Sequence, residues 1–188
     1  MKVAIIYGTR HGHTRQICDR LAEGLKSRSV AAEVMNVETL GEEFSIEDYD
    51  AAILAGSVHY GRHPRALARF ATAHRDELDA VPSAWLSVGL AAADSKGASE
   101  AHDTALRFPE RTGWHPTITV PVAGALQYSK YNPLLRLMMR QISKVSGGAT
   151  DTSQDHIYTD WEQIDALAAR IGESLHGRPP EGPPLTTH

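Results

Sequence analysis

The apolar run Val3 to Tyr7 stops at Gly8 and passes at once into T-R-H-G-H-T, Thr9 to Thr14, and then into a helical pattern. No other feature constrains the fold as tightly. A compact apolar run closed by a glycine reads as a strand buried on both faces, and so as part of a parallel sheet. Ile17, Leu21 and Leu25 then recur four apart, with Arg15, Asp19, Arg20, Glu23 and Lys26 between them, which predicts an amphipathic helix. A loop between such a strand and a helix N-terminus suits a phosphate, because free amides converge there and the helix dipole favours negative charge. Gly12 lets the backbone pass close to a ligand, the Thr9 and Thr14 hydroxyls can donate, and Arg10, His11 and His13 add positive charge. The loop is neither a Walker A sequence nor the G-x-G-x-x-G of dinucleotide sites. A glycine turn capped by threonine before any helix has the same letters, so the loop alone does not settle for a ligand.

The rest of the chain repeats the alternation. Ala31–Val37, Tyr49–Ala55, Ser83–Val88 and Ile118–Ala123 read as four further strands. A helix is expected from about Arg65 to Leu78, carrying Leu67, Phe70 and Ala71 inward. The last helix is expected to start at Thr159, where T-D-W-E sets Glu162 three residues on, as in a capping box, and to continue through Ile164, Leu167, Ala168 and Ile171. Strands alternating with helices imply an α/β fold, a five-stranded parallel sheet with helices on both faces. The doubly wound order 2-1-3-4-5 fits, with a ligand at the switch point beyond the strand C-termini. No internal repeat is present.

At 188 residues the chain is expected to form one domain, residues 1–176, with an insert at about 126–149 and a tail at 177–188 holding four prolines and two glycines. A net charge of -4 is too mild for a nucleic-acid surface or an acidic solvating tail. The single cysteine, Cys18, falls in a helical pattern and is expected in the core, and no Cys/His spacing resembles a metal site. No secretory signal and no run of the roughly 20 apolar residues that span a bilayer is visible, so a cytoplasmic location is expected.

T-x-x-G-x-T after the first strand resembles the phosphate loop of the flavodoxins, with His11 where they often carry threonine or serine. The resemblance implies a flavodoxin-like fold and bound FMN. The loops after the third and fourth strands would then flank the ring. The first, Gly56 to His63, offers Ser57, Val58, His59, Tyr60 and Gly61; the second, Ser87 to Ala93, offers Ser87, Val88, Gly89, Leu90 and Ala91. A flavin needs a flat apolar slot and backbone groups at its polar edge. Tyr60 can stack on the ring and Gly61 lets the chain turn around it. The second loop has no aromatic residue, so one ring face is left open to a substrate. Arg62, His59 and His63 cluster in the first loop, where they bind propionates, relay protons or simply form a solvated basic loop.

Residues Arg111 to Thr150 include no acidic side chain. Asn132-Pro133 opens a predicted helix to about Val145 that is rich in leucine and methionine, and Arg136, Arg140 and Lys144 lie four apart on one face. With Lys130 they form a basic stripe that suits anionic lipid, an anionic apolar substrate, or a solvated face of a helix packed on the domain.

The strings P-S-A-W-L-S-V (Pro82 to Val88), A-G-A-L-Q-Y-S-K-Y (Ala123 to Tyr131), S-G-G-A-T-D-T (Ser146 to Thr152) and Y-T-D-W-E-Q (Tyr158 to Gln163) resemble one family more specifically. It is the flavodoxin-type, quinone-dependent protoporphyrinogen IX dehydrogenases of bacterial heme synthesis, and the likeness runs from Met1 to about Leu175. The loop Leu90 to Asp94 is richer in alanine than that family's. The resemblance implies six-electron oxidation of protoporphyrinogen IX to protoporphyrin IX, with electrons passing through FMN to menaquinone or ubiquinone. It also implies a peripheral contact with the inner face of the cell membrane; an oligomer is compatible with it. No side-chain general base is singled out. Other readings of the same fold are an NAD(P)H-dependent quinone or flavin reductase, a non-enzymatic flavodoxin carrier and a receiver-type signalling domain. The last needs an acidic cluster at the end of the first strand, where Thr9-Arg10-His11 is the opposite.

Overall fold

The computed structural model describes residues 1–41, 43–126 and 155–175. The predicted insert helix, with Lys130, Arg136, Arg140 and Lys144, and the Pro-rich tail lie outside the described residues. The strands are β1 (Lys2–Gly8), β2 (Ala31–Asn36), β3 (Ala51–Ser57), β4 (Ser83–Gly89) and β5 (Ile118–Ala123). They form one parallel sheet in the order β2-β1-β3-β4-β5, as the alternation predicts. Register matters for function: Gly8 stands beside Gly56, and Gly56 beside Ser87, so the loops leaving β1, β3 and β4 open at one edge of the sheet.

Pleating divides each strand between two cores. Val3, Ile5, Ile53 and Leu86 face α1 (His13–Lys26) and α5 (Trp161–Leu175), which bury Ile17, Leu21, Ile164 and Leu167 against them. Ala4, Ile6, Leu54 and Trp85 face the other way, toward Leu67 of α2 (Arg65–Ala73), Leu78 of α3 (Arg75–Ala80) and Phe108 of α4 (Ala98–Thr112). Strands buried on both sides leave no polar position, which is why β1 and β3 read as continuous apolar runs. Cys18 lies fully buried in the first core, as expected, and burial pushes its thiol pKa up, out of reach of thiolate chemistry. Helices α1 and α5 touch where a Cβ on Gly24 would stand 2.7 Å from that of Ala168, and Arg20 grips the Asp165 carboxylate with two hydrogen bonds of 2.8 and 2.6 Å.

Two expectations need correction. The helix expected over Arg65–Leu78 is two helices, broken at His74 (φ −103°, ψ 22°). There the imidazole stacks on Phe70, and Nδ1 donates to Glu77 Oε1 at 2.9 Å, so the side chain fastens a bend rather than a helical turn. The last helix is capped by Asp160, not Thr159: Asp160 Oδ1 accepts the amides of Glu162 and Gln163, whereas Thr159 Oγ1 donates to Ala123 O. Helix α4 was not foreseen in the sequence, and neither was a two-stranded antiparallel pair, β6 (Ala125–Leu126) with β7 (His156–Ile157), which joins the two chain segments flanking residues 127–154. Among the described residues no helix is long and apolar enough to cross a membrane, and no His, Cys, Asp or Glu group is placed to hold a metal ion.

Candidate functional site

A cleft of about 360 Å³ opens at the C-terminal ends of β1, β3 and β4. One end is the loop from Thr9 to Thr14. Helix α1 begins after Gly12, which sits at φ 90°, ψ −7°, a left-handed conformation that glycine adopts without penalty. No side chain caps α1 and no acidic residue occupies its first turn. Its leading amides are therefore left for an anion. Thr9 Oγ1 accepts the Gly12 N–H at 3.2 Å, which holds the loop and leaves the hydroxyl proton available. Thr9, Arg10, His11, His13 and Thr14 line the cleft; Gly12 shapes the loop without lining it.

The other end is built from the two strand-to-helix loops. Ser57, Val58, His59, Tyr60 and Gly61 form one wall, and Ser87, Val88, Gly89, Leu90 and Ala91 the other. Val58 N–H donates to Val88 O at 2.7 Å and so ties the walls together. A Cβ on Gly89 would come within 3.1 Å of Val58 Cβ, so glycine is what lets the walls meet. His59 and Arg62 exchange backbone hydrogen bonds of 2.9 and 3.0 Å across a two-residue turn whose central residues, Tyr60 and Gly61, lie at φ 50° and 69°. This is the geometry of a type I′ turn. Tyrosine at positive φ costs backbone strain, yet Tyr60 is 72% exposed and lines the cleft mouth. The turn thus sets a large, exposed flat ring at the edge of the cleft. Ser57 supplies a second mark of a missing partner: it is 8% exposed, and its Oγ has none among the described residues.

The histidines divide sharply. His13, expected to add charge beside the phosphate, is 5% exposed, and burial lowers its pKa, with a hydrogen bond to Gln16 opposing only in part. Thr159 Oγ1, which donates to Ala123 O at 2.7 Å, lies 2.6 Å from His13 Nε2, while His13 Nδ1 lies 3.1 Å from Gln16 Oε1. The neutral ring is a strut from the phosphate loop to the end of β5 and the entry of α5. His63, read as a propionate-binding, proton-relaying or merely solvated loop residue, is 8% exposed, with Nε2 2.9 Å from Ser87 Oγ and its ring edge-on to Trp85 and Phe108. Burial, with the Arg111 charge adding to it, holds its pKa at about 4. It braces the Ser87 wall rather than facing solvent. His59 stays in the cleft, edge-on to His11 with ring centroids 5.3 Å apart, and its pKa falls to about 4 through burial and the neighbouring His11 and Arg10. The Thr9–Thr14 loop and the Gly56–His63 loop thus meet through a pair of imidazoles.

Sequence reading missed one side of the site. Glu100, Ala101 and Thr104 of α4, with Gly124 and Ala125, complete the cleft beside Ala92 of the Ser87–Ala93 loop. The signal was present but faint: Ala101, Ala105, Phe108 and Thr112 recur at helical spacing, followed by Gly113 at φ 73°, a helix-ending conformation. Taken as a whole, an uncapped helix start at one end and an apolar slot with an orphaned hydroxyl at the other suit an organic phosphate with a flat ring.

A family model described as a flavodoxin domain matches residues 4–153. The protoporphyrinogen IX dehydrogenase (quinone) of Escherichia coli strain K12 is 38% identical over 172 residues, 91% of this chain and 94% of that protein. The protein of the same name from Leishmania major is 32% identical over 170 residues, covering 89% of this chain and 73% of its own length. Among solved structures, a flavodoxin from the domain Archaea superposes with a TM-score of 0.56 at 15% identity, over 94% of this chain and 99% of its own. Rubredoxin oxygen:oxidoreductase from Desulfovibrio gigas gives the same TM-score and identity over 94% of this chain and 36% of its own. Those two share the fold. The flavodoxin-domain match points to a flavin as the cofactor.

Proposed function

The chain belongs to the flavodoxin-domain family, among the quinone-type protoporphyrinogen IX dehydrogenases, and from that premise we propose that it binds FMN and oxidises protoporphyrinogen IX, passing the electrons to a membrane quinone. The observation that carries the cofactor is the uncapped, acid-free start of α1 opening into the same cleft as the orphaned Ser57 hydroxyl. In this reading the amides of the first turn of α1 and the Thr9 and Thr14 hydroxyls hold the phosphate, with Arg10 adding charge. Neutral His13 positions the loop rather than charging it. Tyr60 covers one ring face, Ser57 donates to or accepts from the ring edge, and the wall Ser87–Ala92 lines the opposite side. FMN supplies two-electron chemistry when bound, accepting hydride equivalents from an organic substrate and returning them to an acceptor. The protein's own part is to hold the ring, keep water from its inner edge and leave one face accessible.

Tyr60 is the one phenyl, phenol or indole ring among the described lining residues. The wall from Leu90 to Ala92 has only small or aliphatic side chains, so a broad substrate can approach there. That supports an enzyme over a carrier whose flavin is covered on both faces. A lipid quinone as acceptor also implies work at the inner face of the cell membrane. The experiment is anaerobic: protoporphyrinogen IX is added to FMN-loaded protein, and porphyrin fluorescence is followed with and without a menaquinone analogue. The expected result is fluorescence growth that depends on both protein and quinone. No growth above the protein-free control, with the flavin bleached by NADPH instead, would replace this reading by a nicotinamide-dependent reductase.

A further inference from the structure

Beside the cleft lies a second cavity of about 410 Å³ between the Tyr60 turn and α4. The two cavities share Gly61 and Thr104, so they are neighbouring compartments of one depression. One face of α4 runs through both: Glu100, Ala101 and Thr104 in the cleft, then Thr104, Arg107, Phe108 and Arg111 in the groove. Arg107 and Arg111 are one helical turn apart and so stand side by side. Arg62, just past the Tyr60–Gly61 turn, faces them from the other bank. The floor is buried and uncharged, formed by Phe108 and by His63, whose depressed pKa keeps it neutral at pH 7.

The charge here is unbalanced. Among the described residues, Arg62, Arg107 and Arg111 form no ion pair and Glu110 is the only acid lining the groove. Three guanidinium groups against one carboxylate leave two formal positive charges around an apolar floor. A guanidinium presents a planar fork of donors that matches a carboxylate better than an ammonium does. A ligand suited to this place is an apolar body lying in the cleft with two carboxylates reaching over the rim.

We propose that this groove is the carboxylate subsite of the enzyme: Arg62, Arg107 and Arg111 bind the two propionates of the tetrapyrrole and thereby set its macrocycle against the open wall of the cleft. This deepens the porphyrinogen reading and rests on it for the identity of the ligand. The subsite recognises charge, so the diacid is distinguished from its uncharged esters, and it positions the substrate without taking part in electron transfer.

The test compares protoporphyrin IX with its dimethyl ester as ligands of the FMN-loaded full-length protein, by quenching of protein fluorescence. The variants are Arg107→Glu/Arg111→Glu and the milder Arg107→Gln/Arg111→Gln, with retention of FMN as the check that each has folded. The native protein is expected to bind the diacid at least tenfold more tightly than the ester. Both variants are expected to lose at least tenfold on the diacid and less than threefold on the ester. Diacid affinity within threefold of the native value in both folded variants overturns the subsite, as does equal affinity of the native protein for acid and ester. The same proteins are assayed for porphyrinogen oxidation. An arginine-dependent preference for the diacid without any quinone-dependent turnover retains the subsite and removes the dehydrogenase reading. Turnover with an unchanged KM in the variants retains that reading and removes the subsite.

Discussion

Replacing Gly12 separates the two things the phosphate loop does. The residue lies at φ 90°, and a Cβ added there meets nothing within 4 Å, so backbone strain is the only steric consequence. Alanine in this left-handed region costs about 1 kcal/mol or slightly more, whereas asparagine and aspartate tolerate it better. Gly12→Asn and Gly12→Asp therefore have nearly the same shape and strain and differ by one charge. That charge would stand at the start of a helix with no acid in its first turn, beside the proposed phosphate. At about 5 Å and an effective dielectric near 20, a carboxylate repels each unit of phosphate charge by about 3 kcal/mol, which corresponds to roughly a hundredfold loss of affinity or more. Titration of apoprotein with FMN, read by flavin fluorescence quenching, should place Gly12→Asn within about tenfold of the native Kd. Gly12→Asp should fall short by at least the hundredfold. Urea unfolding of the apoproteins should show Gly12→Ala as the least stable of the three, because it alone carries the full conformational cost. Retention of FMN by Gly12→Asp as tight as by Gly12→Asn would refute the placement of an anion at this helix start.

Three further outcomes follow from single features. Ser57→Ala removes a buried hydroxyl with no partner, so the apoprotein should be as stable as the native one or up to about 1 kcal/mol more stable, while FMN binding weakens by about two- to tenfold; loss of stability with unchanged FMN affinity would make Ser57 a structural residue. His63 titrates near 6.5 when unfolded and at about 4 when folded. The unfolded chain therefore binds more protons between those values, and stability is full above pH 6.5 and declines as pH falls toward 4, by at most about 3 kcal/mol. His63→Gln should lose less stability than the native protein between about pH 7 and pH 4.5 in urea unfolding, and parallel profiles would show that the ring titrates normally. For Arg136, Arg140 and Lys144, which lie outside the described residues, the lipid reading of the basic stripe predicts that joint replacement by glutamate abolishes co-sedimentation with anionic vesicles, and undiminished co-sedimentation would remove that reading.

The parts of the fold that were legible in the sequence are those where burial on two sides forces a continuous apolar run. β1 and β3 announced themselves in this way, and α1 did so by its four-residue spacing of Ile17, Leu21 and Leu25. The loops were placed by position, because in a parallel sheet each strand's C-terminal end must open on the same edge. What stayed hidden depends on partners distant in sequence. His13 and His63 look like surface charge until Thr159 and Ser87 are seen against them, and then burial makes both neutral braces. The bend at His74 is fixed by Phe70 and Glu77 together, which no propensity reveals. Helix α4 was lost because its inward face is mostly Ala101, Thr104 and Ala105, too small to give a strong apolar stripe, and because Pro109 reads as a helix breaker. Its Phe108, with Trp114 just beyond its end, nevertheless packs around Trp85, so the helix is anchored by aromatic contacts rather than by periodicity.

On the proposed function, that small-faced helix is where the specificity of the molecule concentrates. The phosphate loop and the two ring loops belong to the parallel sheet and serve any flavodoxin-domain protein, so they cannot by themselves separate a carrier from a dehydrogenase. Gly97, just before α4, lets the helix begin close against the wall Leu90–Ala92, because a Cβ there would stand 2.2 Å from Ala91 O. Ala101 and Thr104 then leave room along the cleft that larger residues would fill. The same helix then turns its next basic positions, Arg107 and Arg111, onto the adjoining groove. One element thereby sets both the width of the slot and the charge at its rim. A carrier needs neither, because its flavin meets a partner's surface and no substrate has to be held. An enzyme acting on a broad, apolar dicarboxylate needs both, in register with the ring. The choice between the two readings therefore rests on the spacing of Thr104, Arg107 and Arg111 along α4 more than on the loop that first revealed the fold.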